Sequence, residues 1–223
     1  TTFAGAGRDN TTATSESRTM QVTLPTGCED SLIWWPERGM GFHPRPAMDY
    51  TTSYWDEFRQ RDASPMGELL TEARLSLVRR HYAGQIVDIG IGGGRFVEYA
   101  AAQGYDVNAE ANEWLRQRDA YCDPYSRPVD AITCWDSLEH IPDPAALLAQ
   151  VREWAFIAIP IFEEGDGVPA SRHYKPGEHI WYFSHRGLVD WMKAQGFVCM
   201  EHNDAETELG REGIRSYAFM RVK

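Results

Sequence analysis

Long apolar runs are missing from this 223-residue chain. None approaches the roughly 18 residues that a membrane-spanning helix needs, and no signal-peptide pattern is visible. Cysteine is scarce. The four residues Cys28, Cys122, Cys134 and Cys199 include no Cys-x-x-Cys pair, which argues against a zinc or disulfide framework and for reduced thiols in the cytoplasm. Basic residues are also short. Lys and Arg total 22 against 33 Asp and Glu, a net charge of −11. Such a balance repels phosphate backbones and disfavours nucleic acid as a partner. The one basic cluster, Arg74, Arg79, Arg80 and His81, reads as a solvated helix face. A last absence concerns glycine. The dinucleotide fingerprint Gly-x-Gly-x-x-Gly, counted from Gly90, needs a third glycine where the chain has Arg95, so a nicotinamide dehydrogenase is disfavoured.

What is present begins at residue 87. Val87-Asp88-Ile89-Gly90-Ile91-Gly92-Gly93-Gly94 is entered from an apolar run and followed by a helix-like segment. The frame Asp88-x-Gly90-x-Gly92-x-Gly94 lets a strand turn sharply into a helix while the backbone approaches a nucleoside. The leading carboxylate favours a ligand carrying positive charge.

Residues 1–27 are polar and lack any period, and they read as an arm. Residues 28–60 crowd Trp34, Trp35, Phe42, Tyr50, Tyr54, Trp55 and Phe58 among prolines. They read as an aromatic cap or lid, or simply as rings packed on the domain. From Met66 the period is helical as far as Gly84. Strands are then expected at 86–89, 105–110, near 120–122, and at 129–135, 154–159, 197–202 and 214–222. Helices are expected at 95–103 (stopped by Gly104), 111–118, from Pro144 behind the cap Asp143, and behind the cap Ser184. The alternation predicts an α/β, Rossmann-like, doubly wound domain over 61–223. Its seven-stranded sheet is mostly parallel and ends in an antiparallel hairpin with no helix between its strands.

Three segments carry a resemblance. They are the glycine turn, the run from Asp130 through Trp135-Asp136-Ser137-Leu138-Glu139-His140, and the stretch His173–Ser184 before a helix and Gly196-Phe197. In this order they resemble the class I S-adenosylmethionine (SAM)-dependent methyltransferases, in particular small-molecule enzymes whose fourth strand runs into Leu-Glu-His, a type common in bacteria and phages. The resemblance covers about residues 50–223. It implies that SAM is the cofactor and that its methionine part lies along Gly90, Gly92 and Gly94. Asp88 would hold that loop and face the amino group. Glu110, ending the second strand, would take the ribose hydroxyls, with Asn112 as a possible sharer. Asp123 would meet the adenine amino group, and Trp135 and Asp136 would flank the sulfonium, unless Trp135 is core filler. His140, His173 and His179 form the pool from which a base would come. His173, His179, Glu178 and Glu163 match no tight ligand spacing, so no resident metal is expected.

The reaction expected is methyl transfer to an O, N or C atom of a small molecule. A second reading keeps the fold as a binding module, held to a larger assembly such as a phage particle through residues 1–27. A nucleic-acid base methyltransferase is disfavoured, because its Asn/Asp-Pro-Pro-Tyr/Phe-like motif is replaced by Asp136-Ser137-Leu138-Glu139.

Overall fold

The computed structural model describes residues 20–21, 32–43, 52–163 and 167–222. The expected polar arm over 1–27 therefore lies almost wholly outside the described residues, as do Cys28 and Tyr50. In chain order the elements are β1 (Met20–Gln21), β2 (Ile33–Trp35), β3 (Met40–Phe42), α1 (Thr52–Asp62) and α2 (Pro65–His81). An alternating series follows: β4 (Ile86–Ile89), α3 (Arg95–Ala100), β5 (Gln103–Tyr105), α4 (Ala109–Arg116), β6 (Val129–Trp135), α5 (Pro144–Ala149) and β7 (Val151–Pro160). Then come β8 (Trp181–Phe183), α6 (His185–Ala194), β9 (Phe197–Asn203), α7 (Ala205–Glu208) and β10 (Ile214–Arg221).

The larger sheet runs β5-β4-β6-β7-β10-β9. Its first three pairings are parallel and its last two antiparallel. This is the expected doubly wound architecture with an antiparallel end. The sheet has six strands where seven were expected. The strand expected near 120–122 shrinks to a single parallel bridge between Gly104 and Tyr121. Pro124, with no N–H to offer a ladder, stands three residues beyond the bridge. The parallel strands are buried on both faces, as their continuous apolar runs require. Ile132, Cys134, Ile157 and Phe219 fill one side, and Leu77, Phe96, Phe156 and Ala158 the other.

Caps hold the helices where the sequence signals them. Ser64 accepts from Gly67 N at 3.1 Å ahead of Pro65. Asp143 accepts from Ala146 N at 3.0 Å ahead of Pro144, and Ser184 accepts from Gly187 N at 3.0 Å. Two further details differ from expectation. Gly104 does not stop α3; Ala101, at φ 50°, does. Gly104 instead sits inside β5, where a Cβ would meet Ile91 at 2.7 Å and Leu115 at 3.0 Å. The strand expected at 105–110 accordingly ends at Tyr105, and Asn108 caps α4 by accepting from Glu110 N at 2.8 Å. The closing antiparallel hairpin forms as expected, β10 pairing with β9, but a one-turn helix, α7, stands in its connection.

A second, antiparallel sheet of order β1-β2-β3-β8 was not foreseen. Met40 pairs with Phe183 and Phe42 with Trp181, so part of the aromatic segment becomes a hairpin laid on β8. The last part of that segment, in α1, crosses the glycine turn.

Candidate active site

Between β4 and β6 the chain leaves the sheet in opposite directions, to β5 on one side and to β7 on the other. A crevice opens at the carboxyl ends of strands where such a switch occurs. Here it is a cleft of about 670 Å³.

One wall is built on the glycine turn. Gly90, Gly92 and Gly94 have φ of 74°, 55° and 85°, the left-handed region that costs other residues about 1–2 kcal/mol. The turn is also hemmed in by protein. A Cβ on Gly90 would meet Ser137 at 2.8 Å, one on Gly93 the Arg59 backbone at 2.7 Å, and one on Gly94 the Trp114 ring at 2.5 Å. Asp62, the last residue of α1, accepts from Gly93 N at 2.9 Å and from Arg95 N at 3.3 Å. Asp106, just past β5, accepts from Ile91 N at 2.9 Å and from Asn108 N at 2.8 Å. Asn112 clamps the backbone of Asp106 with a donor at 2.6 Å and an acceptor at 3.0 Å. Burial pushes the carboxyls of both Asp62 and Asp106 up from their ordinary values. Asp88 is 1% exposed and takes the Thr133 hydroxyl at 2.6 Å. Burial raises it to about 7, against the pull of Thr133 and Arg74. Tyr105 and Tyr125 meet edge to face at 5.7 Å and continue this wall.

The opposite wall starts at the end of β6. Trp135 is buried against Phe96 with ring centres 5.2 Å apart, and the Arg74 guanidinium lies 5.3 Å from its ring centre. It is both core filler and cleft lining. Asp136, at φ 55°, receives Arg211 at 2.7 Å and Arg74 at 3.2 Å. Burial works against its charge, but the two guanidiniums prevail and hold its carboxyl below the usual range. Glu206 on α7 is 0% exposed and binds the same two arginines, Arg74 at 2.7 Å.

Beyond Asp136 a 3-10 turn, Leu138–His140, faces the connection that leads into β8. Three hydrogen bonds fasten the two together. Ile180 N donates to Glu139 O at 2.8 Å, Trp181 Nε1 donates to Ile141 O at 3.0 Å, and His140 Nδ1 lies 2.9 Å from Glu178 O. The rings of His140 and His179 meet at 4.7 Å, nearly perpendicular. Burial pushes Glu139 well up, helped by Asp136. Burial also lowers His140, and it lowers His179 to about 3 with the neighbouring His140 adding to the effect.

Of the residues singled out from sequence, Asp88, Gly90, Gly92, Trp135, Asp136, His140, His173 and His179 line this cleft. Gly94, Glu110 and Asp123 do not. Gly94 is the turn into α3. Glu110 is exposed in the first turn of α4, displaced by the early end of β5. Asp123 holds its own loop, accepting from Tyr125 N at 2.8 Å, and it is Tyr125 that reaches the cleft. His173 Nε2 is engaged by Glu212 O at 2.6 Å. The sequence reading missed Asp62, Asp106, Glu139, Arg74, Arg211 and Glu206. The cap residue Asn108 was the available signal for Asp106, because a strand must end before it. Arg74 was read as solvated, yet it is mostly buried and doubly paired. No local signal marks Arg211, which long-range pairing of β9 and β10 brings in.

Residues 55–202, well over half of the chain, match the family described as Methyltransferase domain. The chain belongs to this methyltransferase family. The match runs from α1 to β9 and leaves the β2–β3 hairpin and β10 outside it. Among curated relatives, the Ubiquinone biosynthesis O-methyltransferase of Photobacterium profundum is 26% identical over 125 residues, 45% of this chain and 52% of that protein. The chain spans about half the length of the curated relatives it matches. Two solved structures share the fold. One is a methyltransferase from a complex with the Haloferax volcanii Trm112 methyltransferase activator, at TM-score 0.57 and 15% identity, over 77% of this chain and 97% of that one. The other is magnesium protoporphyrin IX methyltransferase from Synechocystis PCC 6803 with bound SAH, at TM-score 0.53 and 14% identity, over 78% and 96%.

Proposed function

We propose that this chain transfers the methyl group of SAM to a small-molecule acceptor, and that the acceptor atom is an oxygen, as the name of the curated relatives suggests. One observation carries the reading. The glycine-turn backbone and the Asp106 carboxylate form one continuous wall, joined through Ile91 N, at the carboxyl ends of β4 and β5. Such a wall suits a nucleoside with a charged amino-acid tail. Gly90 and Gly92 would lie along the methionine part, with Asp88 facing its amino group. Asp106, in the place expected for Glu110, would accept from the ribose hydroxyls through the lone pairs its two loop bonds leave over. Tyr105 and Tyr125 would border the adenine.

SAM supplies an already activated methyl group. The acceptor oxygen forms a bond to the methyl carbon while the carbon–sulfur bond breaks and its electron pair goes to sulfur. SAH, the methylated acceptor and one proton result. Most of the rate can then come from holding donor and acceptor in line. Trp135 and Asp136 border the point of transfer, and His140, His173 and His179 line the acceptor side. Calorimetry with SAH tests the reading. Binding with one equivalent per chain is expected, and failure of both SAM and SAH to bind would overturn it.

The free thiols of Cys122, Cys134 and Cys199 fit a cytoplasmic setting, and no helix among the described residues is long and apolar enough to cross a membrane. A protein partner for residues 1–27 is a separate part of the proposal. Deleting those residues should abolish any such association and leave SAH binding intact.

A further inference from the structure

Polar groups on the acceptor side of the cleft are not all satisfied. Glu139 is 1% exposed and His179 is 4% exposed. Neither carboxylate oxygen of Glu139 finds a donor in another residue, and Nδ1 of His179 has no partner. A buried polar group left this way costs about 1–3 kcal/mol, and more if it is charged. The neighbouring cations do not repair the deficit. Lys175 pairs with Glu178 at 3.1 Å, and Arg74 and Arg211 pair with Asp136 and Glu206. None of these ion pairs includes Glu139.

These two side chains and His140 converge. One ligand atom from each of Glu139, His140 and His179 lies within 4.8 Å of the other two. The backbone fixes this arrangement, since Ile180 N holds Glu139 O and the residue before Ile180 is His179. His140 is oriented as well. With its proton on Nδ1, donated to Glu178 O, the ring keeps the Nε2 lone pair for another partner. A backbone carbonyl behind one ring nitrogen is the usual support of an imidazole that binds a metal through the other.

From this convergence we propose that Glu139, His140 and His179 bind a divalent transition-metal cation in the acceptor half of the cleft. Two imidazoles and one carboxylate suit zinc, manganese, iron or cobalt, whereas magnesium and calcium prefer oxygen-only sets. Three protein ligands leave coordination positions open, and all three residues line the cleft. The site's use rests on the methyl-transfer reading. A cation there selects a hydroxyl acceptor with a second oxygen on the adjoining atom, able to occupy two open positions. It also acidifies the hydroxyl. The proton leaves to water, the oxygen bonds to the methyl carbon, and the carbon–sulfur electron pair goes to sulfur, with no change of oxidation state.

The full chain, without an affinity tag, can be stripped with chelator and titrated with Mn²⁺ by electron paramagnetic resonance and with Co²⁺ by visible absorption. One equivalent of each should bind, with cobalt bands characteristic of nitrogen ligation. Glu139→Gln and His179→Ala should each weaken binding by about tenfold or more, while their SAH titrations stay at the wild-type level and report an intact fold. If the Gln variant fails to fold, His179→Ala decides. Absence of saturable Mn²⁺ and Co²⁺ binding by the wild type overturns the proposal, as does undiminished binding in the variants that fold. SAH binding without cation binding sinks this site alone. Cation binding without SAH binding leaves the site standing and removes the methyl-transfer reading.

Discussion

The two walls of the cleft solve opposite problems. On the glycine-turn side, loop amides and carboxylates meet within the protein. Asp62 takes Gly93 N and Arg95 N, Asp106 takes Ile91 N, and Asn112 fixes Asp106 from behind. On the side of the Leu138–His140 turn, a carboxylate and an imidazole nitrogen are buried without partners. A self-satisfied wall is pre-formed and can receive one fixed ligand. An unsatisfied wall has left its electrostatics to be completed by what binds. The difference teaches where specificity can be set: the pre-formed wall fixes its ligand in advance, while the unsatisfied wall depends on what it binds.

The largest effect should come from rigidity in the first wall. Gly92→Arg places a long side chain at φ 55°, with Phe58 only 3.3 Å from its Cβ. SAH binding should fall below detection by calorimetry while the circular-dichroism spectrum stays folded; binding at wild-type affinity would show that this wall is not the donor wall. Next comes the buried ion cluster that braces the second wall. Arg74→Met leaves Glu206 and Asp136 with Arg211 alone, and breaking a buried pair from one side costs about 3 kcal/mol. A denaturant titration should show this as a lowered midpoint with little change in slope. A loss well under 1 kcal/mol would mean that the cluster is solvated and that the second wall is not braced by charge.

A smaller effect separates two neighbouring carboxylates. Asp106→Asn should weaken SAH by about tenfold to a hundredfold, the value of charged hydrogen bonds, and Glu110→Gln should leave it unchanged. The reverse pattern would restore the ribose role to Glu110. The smallest effect is a pH dependence. Asp88 has a raised folded-state pKa, about 7, so the unliganded protein gains stability below that value and loses it as pH rises through 7. A cofactor amino group needs the ionised form. SAH affinity should therefore increase by up to about tenfold between pH 6 and 8, and Asp88→Asn should flatten both trends. A thermal-shift series with and without SAH measures the two together.

Much of the fold was legible because its signals are local. The apolar run at 129–135 became β6 with its expected bounds, and Asp143-Pro144 and Ser184 capped the helices they announced. The glycine turn was legible for the same reason. What failed was competition between two uses of glycine. Gly104 reads as a helix stop, but it is needed where β5 packs on Ile91 and Leu115. That single reversal moved the expected strand end to residue 110, and the ribose role expected there to Glu110, where the proposed reading gives it to Asp106. Arg211, Glu206 and the meeting of His179 with Glu139 were illegible, because each depends on pairing between distant strands that no window of sequence contains.

The β2–β3 hairpin lies outside the family match and meets the far wall of the cleft through β8 and the residues on either side of it. Two bonds hold Ile180, the residue after His179, from opposite sides: its N–H donates to Glu139 O, and its carbonyl accepts from His43 N, each at 2.8 Å. A one-residue slip of β8 against β3 would reverse the side chains of Trp181, Tyr182 and Phe183 and break the bond from His43 N to the Ile180 carbonyl. On the proposed reading, a chain shortened to begin near residue 50 keeps the wall proposed for the nucleoside and loses this outside support of the acceptor side, so the choice of acceptor draws on a stretch that the shared domain does not contain.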